Sequence, residues 1–274
     1  MENEAAFYFL AGVLFCLVLW KLILFLRDKK RKKFLEQELP LEWRKIVHEN
    51  VPIVRKLPDK LKSELEGLVC LFLDEKEFIG CEGLEITDEI RLTIAAQACL
   101  LLLNRKTRHY PSLYTILMYP DAFYTNSVDY VGSVKSVGVN VTYGQSHERG
   151  PVVLAWSKAY SGAYNPADGK NVVFHEFAHQ LDQETGRHDG VPVLEDYSKY
   201  APWVKIVGAE FTAFRDKIYD NQNTFLDSYG VSEPAEFFAV ATEAFFEKPL
   251  QFKKKKPDLY EQLASLYKLD PASW

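Results

Sequence analysis

The sequence contains no C-x-x-C pair, and its four cysteines, Cys16, Cys70, Cys81 and Cys99, stand far apart. A thiolate zinc site and a disulfide framework both depend on paired or regularly spaced cysteines, so neither is indicated. All the cysteines except Cys81 lie in apolar runs. Such positions are typical of reduced, buried thiols, which fit a cytosolic domain.

The chain also lacks an excess of basic residues, because its formal net charge is −5 over 274 residues. No overall basic field therefore points to nucleic acid. One dense basic stretch occurs at residues 27–33, but it directly follows an apolar segment, and membrane topology explains it. We therefore expect no nucleic-acid partner.

No basic residue precedes that apolar segment, which covers residues 5–26 and is interrupted only by Lys21. A helix of this length can cross about 30 Å of hydrocarbon. Glu2 and Glu4 precede the segment, whereas six basic residues follow it within 27–33. Because positive flanks stay in the cytoplasm, we predict a single-pass inner-membrane protein. Its N-terminus would lie outside, and this helix would bind the lipid bilayer.

Two other interpretations of the segment fit less well. A cleaved signal peptide has a basic region before a shorter apolar core and a small-residue cleavage site after it. Here the order of charges is reversed, and no such site is evident. A helix buried in a protein core would not have a dense basic cluster as its neighbour.

The chain divides into four predicted parts. Residues 1–4 form an extracytoplasmic tail, and residues 5–26 form the transmembrane helix. Residues 27–58 are charged, contain three prolines, and are interpreted as a basic juxtamembrane linker or helix. Residues 59–270 form one domain, where helical patterns precede and follow a few strand signals. That order predicts an α+β fold.

Apolar spacing places the elements of this domain. Helical patterns begin at Asp59, at Thr87 as an N-cap, and at Asn171. Further helices are predicted from about Pro202 to Ile218, from near Ser232, and around three late leucines, Leu259, Leu263 and Leu266. The helix at 202–218 should turn five residues inward: Val204, Val207, Phe211, Phe214 and Ile218. Strand signals occur at residues 113–118, 130–143 and 151–156.

The central motif is H-E-x-x-H at residues 175–179. On a helix, His175 and His179 lie one turn apart on the same face and can bind one zinc ion. Glu176 stands beside the first ligand and can take a proton from the attacking water. The flanking residues are apolar nearly all round, so the helix should be buried. Buried histidines and a buried glutamate are costly unless a partner such as a metal compensates them.

The third ligand must come from elsewhere in the chain. The extended H-E-x-x-H-x-x-G-x-x-H pattern is absent, because Asp182 and Thr185 stand where its glycine and histidine would be. His188 follows nine residues after His179 and does not fit that pattern. Glu236 and Glu243 stand seven residues apart in apolar surroundings, on one face of a predicted helix. At least one of them is favoured as a ligand, but spacing does not choose between them.

Two segments resemble the MtfA (Mlc titration factor A) family of zinc peptidases. The first is F-H-E-F-A-H-Q-L-D at residues 174–182, followed by D-G-V-P at 189–192. The second is S-Y-G-V-S-E-P-A-E-F-F-A at residues 228–239. The second segment and the H-E-F-x-H-x-x-D core are also similar to the catalytic domain of anthrax lethal factor. The resemblance to the MtfA family covers roughly residues 40–270.

The resemblance implies a mostly helical, zincin-like metallopeptidase domain with a small β-sheet, and it implies roles for particular residues. Glu236 would be the third metal ligand, Tyr229 would lie beside the metal as a catalytic residue, and Glu243 would orient a ligand imidazole. Asp182, one turn beyond His179, would either support the site or be a simple helix-end charge. The N-terminal apolar helix departs from the soluble family prototype.

Two functions follow as hypotheses. The first is a membrane-anchored zinc peptidase that hydrolyses a peptide or protein substrate, with its catalytic domain in the cytoplasm. The second is a binding protein that sequesters a transcriptional regulator, as the resemblance suggests, with peptidase activity secondary. The run at residues 150–156 is interpreted either as an edge strand that pairs with substrate or as an ordinary core strand.

Overall fold

The computed structural model of the chain describes residues 2–131, 134–146 and 150–274, with side chains outside 2–6 and 124–141. Ten α-helices occur in these ranges: α1 Glu2–Leu35, α2 Leu41–Asn50, α3 Asp59–Glu75, α4 Asp88–Leu100, α5 Trp156–Tyr164, α6 Val172–Asp182, α7 Tyr200–Tyr219, α8 Pro234–Glu247, α9 Pro249–Lys255 and α10 Pro257–Tyr267. Short 3-10 segments lie between some of them, including Ser228–Val231 before α8.

The described strands form one mixed sheet and one hairpin. The strands are β1 Glu77–Gly80, β2 Thr115–Tyr119, β3 Phe123–Val131, β4 Val134–Thr142, β5 Gly144–Ser146 and β6 Val152–Ala155. The sheet has the order β1-β2-β6-β5, in which β5 is antiparallel to β6 and the other neighbours are parallel. β3 and β4 pair antiparallel as a separate hairpin. The protein is therefore mostly helical with a small sheet.

Helix α1 is long and apolar enough to be a candidate membrane span, over Phe7–Leu35. Its apolar side chains from Phe7 to Leu26 are exposed rather than packed in the core. The last turns of α1 contact α3, where Arg31 Nε donates to Glu75 Oε1 at 2.6 Å. At Gly67 of α3 an added Cβ would lie 2.2 Å from the Leu35 carbonyl oxygen, so only glycine permits this close approach. The helix is thus joined to the domain by direct packing.

The core is built around three buried helices. Helix α4 is capped by Thr87, as predicted, because the Thr87 side chain accepts from Ile90 N. Helices α6 and α8 pack against each other, and the Phe174 and Phe246 rings stack across them with centroids 5.0 Å apart. On another side of α6, Phe177 contacts Phe72 and Tyr110. Aromatic packing on both sides therefore holds α6 in a fixed position.

The structure corrects three expectations from the sequence. Val204 is 58% exposed, because α7 turns Trp203 rather than Val204 into the core. The strand at 152–155 is buried at every position and lies inside the sheet, so the edge-strand interpretation is wrong and the core-strand one is right. Among the cysteines, only Cys99 is buried, whereas Cys16 is exposed on α1. The sequence pattern also gave no sign of β1, whose exposure alternates over only four residues.

Candidate metal centre

Helix α6 starts at a side chain that also ties it to its neighbours. The Asn171 carbonyl Oδ1 accepts from Val173 N and Phe174 N, which caps the helix where an N-cap asparagine is favoured. Its amide Nδ2 donates to Gln97 of α4 and to Glu247 of α8. This network fixes the first turn of α6, and the H-E-x-x-H residues lie in the turns that follow.

Three predicted metal-binding side chains meet at one point. His175 Nε2 lies 3.2 Å from His179 Nε2 and 2.8 Å from Glu236 Oε2. His179 Nε2 lies 3.4 Å from Glu236 Oε1. Glu236 comes from the first turn of α8, so α6 supplies two of the groups and α8 the third. Their donor atoms all lie within 4.8 Å of one another.

These distances fit a divalent metal. In a tetrahedral site with bonds of about 2.0–2.1 Å, neighbouring donor atoms lie roughly 3.3 Å apart. The three separations here are 2.8, 3.2 and 3.4 Å. Two imidazoles and one carboxylate also form a donor set that zinc accepts in peptidases, with one position left open. The residues present therefore fit a catalytic metal ion.

Each histidine has a second partner at its other ring nitrogen. His175 Nδ1 lies 2.8 Å from Glu243 Oε1, two turns beyond Glu236 on α8. His179 Nδ1 lies 2.9 Å from His188 Nε2. Such outer contacts fix the tautomer and the orientation of a ligating imidazole. The structure thus brings Glu243 to the position that the resemblance implied, and it adds His188.

His188 was missed as a site residue because its only sequence signal was a pattern that it failed to match. It stands on the loop after α6, and Asp182 holds that loop by accepting from Gly190 N at 3.0 Å. Asp182 is fully buried, and burial raises the pKa of its carboxyl group. Asp182 thus contacts the loop that carries His188.

Glu176 is buried beside the donor cluster. Burial is the main cause that raises the pKa of Glu176 to about 8; the nearby His175 opposes the rise, and the Glu236 and Glu243 carboxylates add to it. Its carboxylate faces the start of β5, where a Cβ added to Gly144 would lie only 2.4 Å from Glu176 Oε1. Gly144 thus leaves the space that the Glu176 side chain occupies.

In the donor cluster, the imidazoles and the carboxylates stabilise each other's charged forms. Burial disfavours the charged form of His175, but hydrogen bonds to Glu236 and Glu243 raise its pKa well above the usual value. Burial likewise opposes ionisation of Glu236, yet hydrogen bonds from His175 and His179 hold its pKa well below the usual range. Two carboxylates facing one imidazole favour a positive charge at this point. A bound metal cation would provide that charge.

Tyr229 and Glu176 both line a cleft of about 790 Å³. Tyr229 belongs to the 3-10 segment before α8, and its ring centroid lies 5.8 Å from that of His175. It is 61% exposed, and burial of its other part together with the Glu236 charge raises the pKa of its hydroxyl. Tyr229 therefore carries a protonated hydroxyl at neutral pH, in the cleft and near the candidate metal-binding side chains.

The family model and the similar proteins point to the same family. The family model of the glucose-regulated metallo-peptidase M90 family matches residues 25–268. An uncharacterized protein of Synechocystis sp. is 39% identical over 89% of this chain and 90% of its own length. Mlc titration factor A of Klebsiella pneumoniae is 31% identical over 81% and 84%, and that of Escherichia coli O1:K1 is 30% identical over 84% and 87%. The chain therefore belongs to the MtfA family, the glucose-regulated M90 metallopeptidases.

Proposed function

We propose that this protein is a membrane-anchored zinc peptidase that cleaves a peptide or protein substrate on the cytoplasmic side of the inner membrane. The observation that carries the proposal is the meeting of His175, His179 and Glu236, with Glu176 beside them. Membership of a metallopeptidase family supports the same reaction class. Zinc is the metal that this donor set favours.

The roles of the residues follow from their chemistry. His175, His179 and Glu236 hold the metal, which supplies Lewis acidity and a lowered pKa for water when it is bound. Glu176 accepts a proton from the attacking water and delivers it to the leaving amine, as a general base and then a general acid. Burial raises the pKa of this carboxyl group, so it holds a transferred proton more readily than an exposed one and is suited to both steps.

Tyr229 is the proposed donor to the oxyanion that forms on the scissile carbonyl. Its hydroxyl stays protonated at neutral pH because its pKa is raised. A hydroxyl aimed at the position of developing charge stabilises the transition state more than the substrate. Glu243 and His188 orient the two imidazoles through their Nδ1 atoms.

The substrate strand is proposed to lie along β5. Among the described strands, β5 pairs only with β6, so its other edge faces away from the sheet. Gly144 at the start of β5 lines the same cleft as Glu176. An extended peptide that adds to this edge would bring its backbone carbonyl past Glu176.

The test is the full-length Glu176→Gln variant in a peptide-library cleavage assay. The variant keeps the size of the side chain but loses the base, so hydrolysis should fall by about 10²–10⁴-fold while bound zinc remains. Glu261→Gln, an exposed acid on α10, is the matched control and should cleave like the wild type. Full cleavage by purified Glu176→Gln protein would refute the catalytic assignment.

A second candidate function comes from the names of the relatives. The Klebsiella and Escherichia relatives are named as titration factors of Mlc. This chain is accordingly a candidate binder of a transcriptional regulator as well. Glu176→Gln separates the two functions, because it should stop cleavage and leave such binding unchanged.

A further inference from the structure

A second cleft lies where α1 leaves its apolar stretch and meets the domain, and the proposed peptidase mechanism does not use it. Its volume is about 270 Å³, several times the roughly 30 Å³ that one water occupies in the liquid. Arg27, Lys30 and Arg31 line it from α1, while the end of α3 and the loop before β2 line the opposite side. It is large enough for a phosphate group with its substituents, but not for a whole lipid.

The walls of this cleft carry more basic side chains than acidic ones. Lys76 joins the three basic residues of α1, and Asp74 and Glu75 are the two acids opposite them. Lys30 pairs with Asp74 at 2.7 Å, and Arg31 Nε pairs with Glu75 at 2.6 Å. Lys76 Nζ donates to the carbonyl oxygens of Tyr110 and Leu113, so it is occupied within the protein.

Two basic side chains of the cleft are not fully paired within the described chain: Arg31, which keeps one nitrogen without a partner, and Arg27. Arg31 Nη2 is buried and has no hydrogen-bond partner within the described chain. Arg27 forms no ion pair with any residue that the structure describes, although it lines the cleft. A buried guanidinium nitrogen without a partner is costly. An anion in the cleft would supply an acceptor for Arg31 Nη2 and a counter-charge for the exposed Arg27.

The position of the cleft along α1 matches the headgroup layer of a bilayer. The exposed apolar side chains of α1 end at Leu26, and Arg27 follows directly. Residues 27–31 extend only about 6 Å along the helix axis at 1.5 Å per residue. The polar layer on each side of the hydrocarbon is about 5–8 Å thick. Tyr114 at the cleft is 66% exposed, as aromatic side chains at this depth commonly are.

We propose that this cleft binds the phosphate headgroup of an anionic phospholipid, whose acyl chains lie along the exposed apolar surface of α1. The inference rests on the membrane anchor of the proposed function. Since α1 packs directly on α3 at Gly67, a headgroup held between α1 and the domain would also fix the height of the domain above the bilayer. The mouth of the active-site cleft would then face its substrate from a constant distance.

Two double variants of the full-length chain test the site. Arg27→Gln/Lys30→Gln removes two charges that line the cleft, and Lys29→Gln/Lys32→Gln removes two charges of the same helix that do not. The proteins are placed in nanodiscs of mixed phosphatidylglycerol and phosphatidylcholine, and retained lipid is measured by native mass spectrometry. Wild type and the control pair should retain one phosphatidylglycerol. The cleft pair should bind it about 30-fold more weakly.

The outcomes separate the possible failures. Equal loss of phosphatidylglycerol in both pairs would show general attraction to the surface and overturn the site. Binding of inorganic phosphate in pure phosphatidylcholine nanodiscs, without retained phosphatidylglycerol in mixed ones, would show a soluble-anion site and overturn the lipid assignment. Release of the wild type by alkaline carbonate washing would refute the anchor itself. Peptide cleavage should be equal in all three proteins, so loss of the peptidase function would appear separately.

Discussion

Helices α1 and α6 depart from the usual distribution of polar and apolar residues in opposite ways. α6 buries Glu176, His179 and Asp182 among apolar side chains. α1 exposes its apolar side chains from Phe7 to Leu26. A buried ionisable group needs a partner, and a large exposed apolar surface needs to be covered. Each helix therefore points to a component outside the polypeptide, a metal cation for α6 and a lipid bilayer for α1.

The two helices differ in what the rest of the described chain supplies: partners for the buried polar groups of α6, but no cover for the exposed apolar surface of α1. Around α6, Glu236, Glu243 and His188 satisfy the imidazole nitrogens, so the site is organised before a metal arrives. Around the apolar part of α1, none of the described side chains covers the surface. We therefore expect that the protein folds without its metal, whereas the exposed α1 requires a membrane.

The largest effect on the α6 side, after loss of Glu176, should come from Tyr229→Phe. The change removes one hydroxyl donor from the cleft and leaves the ring that lies near His175. Loss of a single oxyanion donor costs about 10²–10³ in kcat. Steady-state peptide cleavage should show this loss with metal content unchanged, and a wild-type kcat in Tyr229→Phe would exclude the proposed role.

On the α1 side, Leu17→Arg should weaken membrane insertion by about 2.5–3.5 kcal/mol, because it places a charge near the middle of the span. Leu41→Arg is the matched control, since Leu41 is 78% exposed on α2, outside the span. The fraction of protein that resists carbonate extraction measures the effect. If both variants stayed in the membrane like wild type, α1 would not be the anchor.

Glu243→Gln should lower the affinity for zinc by about 10–100-fold, because the amide orients the His175 ring less well than the carboxylate does. Glu247→Gln is the control on the next turn of α8. Glu247 is also buried, but it accepts from Asn171 and contacts no imidazole. Competition with a chelator of known affinity gives both values, and equal affinities would show that Glu243 does not support His175.

The smallest effect concerns Lys76, a buried charge whose partners all lie inside the protein. Burial lowers the pKa of Lys76 to about 8, below the value of 10.5 for an exposed lysine. The unfolded chain therefore binds more protons between these values, so the stability of the folded state should rise as pH increases from about 8 to 10.5. Lys76→Met should flatten that slope in denaturant unfolding of the full chain. An unchanged slope would show that Lys76 is not the group responsible.

The sequence predicted the site better than the sheet, for physical reasons. The i, i+4 spacing of His175 and His179 fixes their relation within one helix, so it needs no tertiary information. The choice of Glu236 over Glu243 depends on how α8 crosses α6, which spacing does not contain. His188 was missed because a loop brings it to His179, and β1 was missed because four residues carry too short a pattern. Val204 was misplaced because neighbouring positions on a half-buried helix differ little in hydrophobicity.

The metal centre is tested by the zinc content of the full-length chain, measured beside that of Glu236→Gln after both are exposed to equal zinc and passed through a desalting column. We expect one zinc per wild-type chain and a large loss in the variant, because Glu236 is the proposed third donor. Wild-type protein that retains no divalent metal, or a variant that retains it equally, would contradict a metal centre built on Glu236.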